Sequence, residues 1–96
     1  MYSRDLELAV SDLGERSAGQ PGLRTVAGVL IVQLDPLGAA CRAGIRKGMV
    51  IIRVGNRPVQ DTVDFIEIME RESLRSGIWL QVYTGERTRS INVRAS

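Results

Sequence analysis

The sequence predicts an α+β fold in which a mainly antiparallel sheet of five to six strands is accompanied by one long helix and one or two short helices. Three observations lead to this prediction. Short apolar runs suited to strands recur along the 96 residues, and turn-forming residues separate them. One stretch, from about residue 62 to 72, has the 3.6-residue apolar spacing of a longer helix. With 44% hydrophobic residues, a chain of this length is expected to form one domain that buries roughly two-thirds of its unfolded surface.

The first two predicted strands differ in how their apolar residues are placed. Leu6–Val10 alternates apolar with polar or small residues, which indicates a half-buried strand. Ser11 or Asp12 is expected to cap a short helical turn that reaches about Ala18. Val29–Leu34 is rich in β-branched residues and apolar on both faces, so it must be covered on both sides.

The middle of the chain predicts a compact strand, helix, strand unit. Gly38–Ala43 suits a short helix, and Gly44 stands where a left-handed C-terminal residue is needed. Met49–Val54 is expected to be a second buried strand, 55–58 a turn, and Val59 a brief returning strand.

The long helix is predicted to begin at a cap supplied by Asp61 or Thr62 and to run to about Glu72. Its apolar stripe is wide, so the helix is expected to contact two partners; the stripe consists of Phe65, Ile66, Ile68 and Met69. A hairpin formed by 78–84 and 87–93 completes the expected fold.

Composition excludes several functions. The chain has no histidine, so it cannot by itself assemble a Ser-His-Asp triad, a Cys-His pair or a histidine-containing zinc site. A net charge of +2 with 4% aromatic residues gives weak support for nucleic-acid binding. The lone Cys41 forms no internal disulfide. We expect no metal, no cofactor and no catalysis. No run is long enough to span a membrane, residues 1–5 are no signal peptide, and 1–5 and 94–96 are expected to be flexible ends.

A family resemblance rests on several short motifs in order. They are Gly28-Val29-Leu30-Ile31-Val32, Asp35-Pro36, Ala39-Ala40, Ala43-Gly44-Ile45, Lys47-Gly48-Met49-Val50-Ile51 and Val54-Gly55-Asn56-Arg57-Pro58-Val59. This series resembles PDZ domains of bacterial HtrA/Deg-type serine proteases, and the segment 6–23 is most similar to the second, C-terminal PDZ repeat. Met49 replaces the usual aspartate, and Gly55-Asn56 inverts the usual order of that pair.

The resemblance implies a single PDZ domain over 1–96, built as a partly open β-sandwich or barrel, that binds an extended C-terminus by adding it as one more strand. The implied receiving edge is Val29–Gln33, with the amides of 26–29 as a nest for the terminal carboxylate. An apolar last residue is expected. The implied peptide-binding residues are Val26, Ala27, Gly28, Val29, Leu30, Ile31, Val32, Thr62, Ile66 and Met69. For Leu30 and Val32 core packing is the preferred interpretation.

The resemblance further implies a non-catalytic module of a periplasmic or otherwise extracytoplasmic protease engaged in quality control. Its expected partners are C-terminal or unfolded peptide segments and the neighbouring protease domain, with a monomeric isolated domain and an oligomeric parent. One alternative is an architectural PDZ domain whose groove is filled by its own chain and serves oligomer assembly. Other possible parents are site-2 proteases and C-terminal processing proteases.

Overall fold

A computed structural model describes residues 2–3, 6–12, 28–72 and 75–94. Within them the chain forms seven strands and two helices. These are β1 (Tyr2–Ser3), β2 (Leu8–Asp12), β3 (Val29–Leu34), α1 (Ala39–Ala43), β4 (Val50–Val54), β5 (Arg57–Pro58), α2 (Thr62–Met69), β6 (Ile78–Tyr83) and β7 (Thr88–Val93). Every described strand pairing is antiparallel, which confirms the predicted α+β class.

The strands form a single sheet in the order β1-β2-β3-β4-β6-β7, with β5 beside β4. The apolar run Val29–Leu34 is therefore an interior strand with a neighbour on each side. Its fully buried members, Val29 and Ile31, face the core. The opposite face, with Leu30, Val32 and Leu34, is only half-buried, so the prediction that both faces are covered is met on one face and only in part on the other.

Several strands begin or end one or two residues from the predicted position, such as β2, which begins at Leu8 and not at Leu6, and three differences matter more. Ser11 and Asp12 continue β2 instead of capping a helix, and the proposed helical turn up to Ala18 falls outside the described residues. The brief strand is β5 at Arg57–Pro58, while the amide of Val59 donates to the carbonyl of Ile52 at 3.0 Å. The third difference is that α2 ends at its Met69 boundary, earlier than expected.

The core lies between the sheet and the two helices. Its largest fully buried side chains come from most of the described strands, from α2 and from the segments around Leu6 and Ile45; they are Phe65, Leu6, Leu8, Ile31, Ile45, Ile51, Ile78, Leu80, Val10, Val29, Val50 and Val54. Helix α2 packs against β2 and β4, and α1 packs against β7. The wide apolar stripe of α2 is thus explained by contacts with two strands that are not adjacent in the sheet.

Gly28 allows a close approach between β3 and β4. A Cβ at this position would overlap the carbonyl oxygen of Ile51 and lie 2.8 Å from Cγ1 of Val50. Any side chain would push the two strands apart, because backbone cannot yield as a flexible side chain can. Gly28 is therefore required by packing inside the sheet.

The end of α1 has the predicted left-handed residue. Gly44 has φ 108°, and its amide donates to the carbonyl of Cys41 at 3.1 Å. The Arg46 guanidinium also donates to the carbonyls of Cys41 and Ile45 at 2.9 and 2.8 Å. The donors from Gly44 and Arg46 satisfy the Cys41 carbonyl, which the end of the helix leaves unpaired.

Among the described residues, neither helix has the length and apolar content needed to cross a membrane.

Candidate functional site

The predicted receiving edge at Val29–Gln33 is wrong, because β3 has partners on both sides. On one side it pairs with β2 from Leu34 to Val29. On the other it pairs with β4 at Val29 and Leu30, and Ile31 exchanges hydrogen bonds with the turn at Met49 and Gly48, each at 2.9 Å. Strand addition needs unpaired amides and carbonyls in a row, and the bonds that Val29, Leu30 and Ile31 make on both sides leave no such row over this stretch.

The burial of the predicted peptide-binding residues on β3 agrees with an interior strand. Val29 and Ile31 are 0% and 1% exposed, so they belong to the core and are not accessible to a peptide. Gly28 is buried, and Leu30 and Val32 are half-buried. The remaining two predicted loop residues, Val26 and Ala27, lie outside the described residues.

In the part of the sheet that the structure describes, β2 has an edge that is only partly paired, and β7 at the other end of the sheet has one that no described strand pairs. One edge of β2 pairs with β3 along its whole length, from Leu8 to Asp12. The opposite edge, here called the outer edge, pairs with β1, with Ser3 opposite Leu8 and Tyr2 opposite Ala9. Among the described residues no strand pairs with the outer edge of Ser11 and Asp12. Helix α2 packs against β2, and its first amide is bonded to the side chain of Asp12 at the end of this strand.

A hydrogen bond fixes the start of α2 to the end of β2. The amide of Thr62 donates to Oδ1 of Asp12 at 2.7 Å, across 50 residues of sequence. The amide is one of the four that a helix leaves unpaired at its beginning, and a carboxylate there is favoured by the positive end of the helix dipole. Asp12 therefore holds α2 and β2 together at one end of the space between them, here called the slot.

Two further carboxylates complete the start of α2. The side chain of Asp61, the predicted cap, accepts from the amide of Asp64 at 2.8 Å. The carboxylate of Asp64 in turn accepts from the amide of Gln60 at 3.2 Å. The backbone donors at this helix start are thus bound locally, so the site for an added strand is the strand edge and not the helix terminus.

The wall of the slot contains the three predicted helix residues. Thr62 and Ile66 are half-buried, and Met69 is 6% exposed. Ile66 packs against the cluster that includes Met69 together with Leu8 and Val10 of β2. The structure therefore places the helix that carries these residues against β2 and β4, whereas Val29 and Ile31 of β3 are buried in the core.

The other end of the slot, before Leu8, has an unusual backbone. Glu7 has φ 56°, a left-handed conformation uncommon outside glycine. Its carbonyl accepts from the amide of Asp35 at 3.0 Å, and its side chain packs on Gly38, where a Cβ would lie 2.8 Å from that of Glu7. These contacts with the segment before α1 hold the turn that leads into β2.

A signal in the sequence could have identified β2 as the open strand. An apolar run on both faces, as in Val29–Leu34, is typical of interior strands. Leu8–Asp12 instead ends in Ser11 and Asp12, and polar or charged residues are a common feature of strands with an unprotected edge. The contact between Asp12 and Thr62 could not have been found this way, because nothing local links residues so far apart.

Replacing Asp12 by alanine is expected to lower the free energy of unfolding by about 1 kcal/mol, because the amide of Thr62 loses its acceptor at an exposed position. Asp12→Asn is the matched control, since its side-chain oxygen can still accept this hydrogen bond. Urea unfolding of both variants measures the difference. Equal losses in the two would show that the charge matters and the hydrogen bond does not.

Other surface features carry no recognisable chemistry. Trp79 is 57% exposed on the outward face of β6, and Tyr83 of the same strand is half-buried. A cavity of about 430 Å³ is lined by Val32, Gln33, Leu34, Asp35 and Lys47. Another of about 360 Å³ is lined by Arg57, Pro58, Asp64, Glu67, Ile68 and Arg71. No group of three or more potential metal ligands occurs in the described part of the chain.

Comparison with known sequences points to proteases. No family model matches the sequence. The chain is 34% identical over 71 residues to "Putative serine protease HhoA" of Synechocystis sp., covering 74% of this chain and 18% of the relative. It is 30% identical over 81 residues to "Putative serine protease HhoB" of the same organism, covering 82% and 20%. The chain thus spans about a fifth of the length of these relatives.

Solved structures give the fold. The HtrA3 PDZ domain bound to a phage-derived ligand, FGRWV, superposes with a TM-score of 0.79 at 21% identity, over 96% of this chain and 84% of that one. The chain is a PDZ domain of the HtrA protease type. A variant of the HtrA-type protease AlgW with a decapeptide also matches this PDZ domain, with a TM-score of 0.78 at 22% identity, over 93% of this chain and 27% of that one.

Proposed function

We propose that this PDZ domain, formed by residues 1–96, binds an extended peptide by strand addition at the outer edge of β2, beside α2. The observation that carries the proposal is the pairing of β2: β3 takes one edge, the other edge is paired by β1 only at Leu8 and Ala9, and the strand packs against the apolar helix α2. Antiparallel pairing of β1 at Leu8 and Ala9 supports the ability of this edge to accept a strand. Backbone hydrogen bonds give such binding its affinity, and a side-chain pocket gives it specificity.

The proposed pocket for the last peptide side chain lies between β2 and α2, beside the half-buried Ile66. Leu8, Val10 and Met69 are buried beneath it in the core cluster against which Ile66 packs. Because these surroundings are apolar, an apolar terminal residue suits them and a charged one does not. The ligand of the HtrA3 PDZ domain, FGRWV, ends in two apolar residues, which supports the same preference here. Thr62, at the start of α2, is proposed to contact the peptide further upstream.

The parent protein is proposed to be an extracytoplasmic serine protease in which this domain is a non-catalytic recognition module. Both sequence relatives carry the description of serine protease, and this chain lacks the histidine that a serine-protease triad requires. Recognition of C-termini or unfolded segments would then bring clients to the neighbouring protease domain.

The proposal is tested by titrating the isotope-labelled domain with the peptide FGRWV and following amide chemical shifts. We expect saturable binding with a dissociation constant of about 1 μM to 100 μM, because ordering a short peptide offsets much of its contact energy. Shifts should concentrate in β2 and α2. The same peptide with an amidated C-terminus is the control and should bind more weakly. Shifts confined to β6 and β7, or no saturation at millimolar peptide, would refute the proposal.

A further inference from the structure

The outer edge of β2 is already partly filled by the chain's own β1. Tyr2 lies opposite Ala9 and Ser3 opposite Leu8 in antiparallel register. Each backbone amide or carbonyl on a strand edge can serve one neighbouring strand. A peptide that adds along the whole of β2 would need the same outward-facing backbone groups that pair with β1, so β1 and the end of that peptide exclude each other.

The connection between β1 and β2 favours this occupancy. Only residues 4–7 separate the two strands, and Leu6 and Glu7 form a turn. A short connection keeps β1 at high effective concentration beside the edge. The left-handed Glu7 is held by Asp35 and by close packing on Gly38, so the core positions the turn from which β1 returns.

The pairing is short enough to be displaced. β1 contributes two residues, and backbone hydrogen bonds exposed to water add little net stability each. No described strand covers the outer edge of Ser11 and Asp12, which lie beside the start of α2. An incoming strand can therefore pair there first and then replace β1 towards Leu8.

From these observations we propose that β1 is an intrachain competitor that must leave the outer edge of β2 before a peptide binds fully. The inference rests on the proposed function, because the competition concerns the same edge. It turns the self-filled groove and the peptide-binding groove into two states of one site, with β1 setting the apparent affinity. When only a fraction of the protein is in the binding-competent state, the apparent affinity for the ligand is reduced by that fraction.

The test uses the full chain with Tyr2→Pro and Ser3→Pro together, because proline removes the amides that β1 needs for pairing. We expect this double variant to bind fluorescein-labelled FGRWV roughly tenfold more tightly than the unmodified chain, as measured by fluorescence polarisation. The matched control, Tyr2→Ala with Ser3→Ala, retains both amides and should stay within about twofold of the unmodified chain.

The outcomes separate the two proposals. Equal affinity in all three proteins overturns the competition and leaves peptide binding standing. Absence of binding in all three overturns the proposed function and this inference with it. Equal tightening by the alanine and proline pairs assigns the effect to side chains and overturns competition by backbone pairing.

A measurement without peptide supplies an independent check. Of the Leu8 and Ala9 amides, the one that faces β1 should exchange faster in the proline variant than in the alanine variant, because β1 protects that edge. Unchanged exchange would show that β1 does not pair with β2 in solution, and the inference would fail.

Discussion

Replacing Phe65 by alanine is expected to lower the free energy of unfolding by about 3–5 kcal/mol, as measured by urea denaturation. Phe65 is 1% exposed on the face of α2 that packs into the core. Truncation removes its apolar contacts and leaves a cavity that the strands cannot fully close. For a domain of this size the loss is a large share of the total stability, which is roughly 5–14 kcal/mol.

Two control variants test whether the loss of stability comes from the loss of buried volume. Phe65→Leu keeps most of the buried volume and should cost only about 1 kcal/mol. Val63→Ala lies on the same helix at a position that is 59% exposed, and its effect should stay within about 0.5 kcal/mol. If Phe65→Ala cost no more than Val63→Ala, the packing of α2 against the sheet described above would be incorrect.

The largest expected effect on binding comes from Ile66→Glu. Ile66 is half-buried on α2 beside β2, where the proposed pocket takes an apolar side chain. A carboxylate would remove apolar contact and, on peptide binding, would be buried without a partner. We expect the affinity for FGRWV to fall by about 30- to 100-fold, which corresponds to roughly 2–3 kcal/mol.

The matched control for this variant is Val63→Glu. It introduces the same charge on the same helix, but at an exposed position away from the packed cluster. Its affinity for FGRWV should remain within about twofold of that of the unmodified domain, because water and salt screen an exposed charge and leave it little effect on the binding free energy. Both variants should be compared by thermal unfolding first, so that loss of binding is not loss of fold. Similar weakening by the two would mean that the peptide does not contact the Ile66 side of α2.

Much of the secondary structure could be predicted because it depends on local chemistry. The run Val29–Leu34 is a strand because β-branched side chains favour extended backbone. Gly44 ends α1 because it readily adopts the positive φ required there. Asp61 caps α2 because its short side chain reaches the amide of Asp64. In each case the cause lies within four residues of the effect.

The helix residues of the candidate site could also be predicted from the sequence. The stripe around Ile66 and Met69 follows from helical spacing, and in the structure this stripe meets the core cluster while α2 packs against β2 and β4. Their contact with a peptide stays a prediction until the titration is done. The strand of the candidate site could not be predicted, since the predicted strand, Val29–Gln33, lies between two other strands.

The sequence by itself determined which segments are strands and helices, and which of their side chains are apolar enough to be buried. Only the tertiary structure decided which strand keeps an edge for a partner. Side-chain patterns report the faces of a strand, whereas its edges carry backbone amides and carbonyls that are alike in almost every residue. Which edges are used depends on neighbours distant in sequence, as in the pairing of Asp12 with Val29 and its hydrogen bond to Thr62.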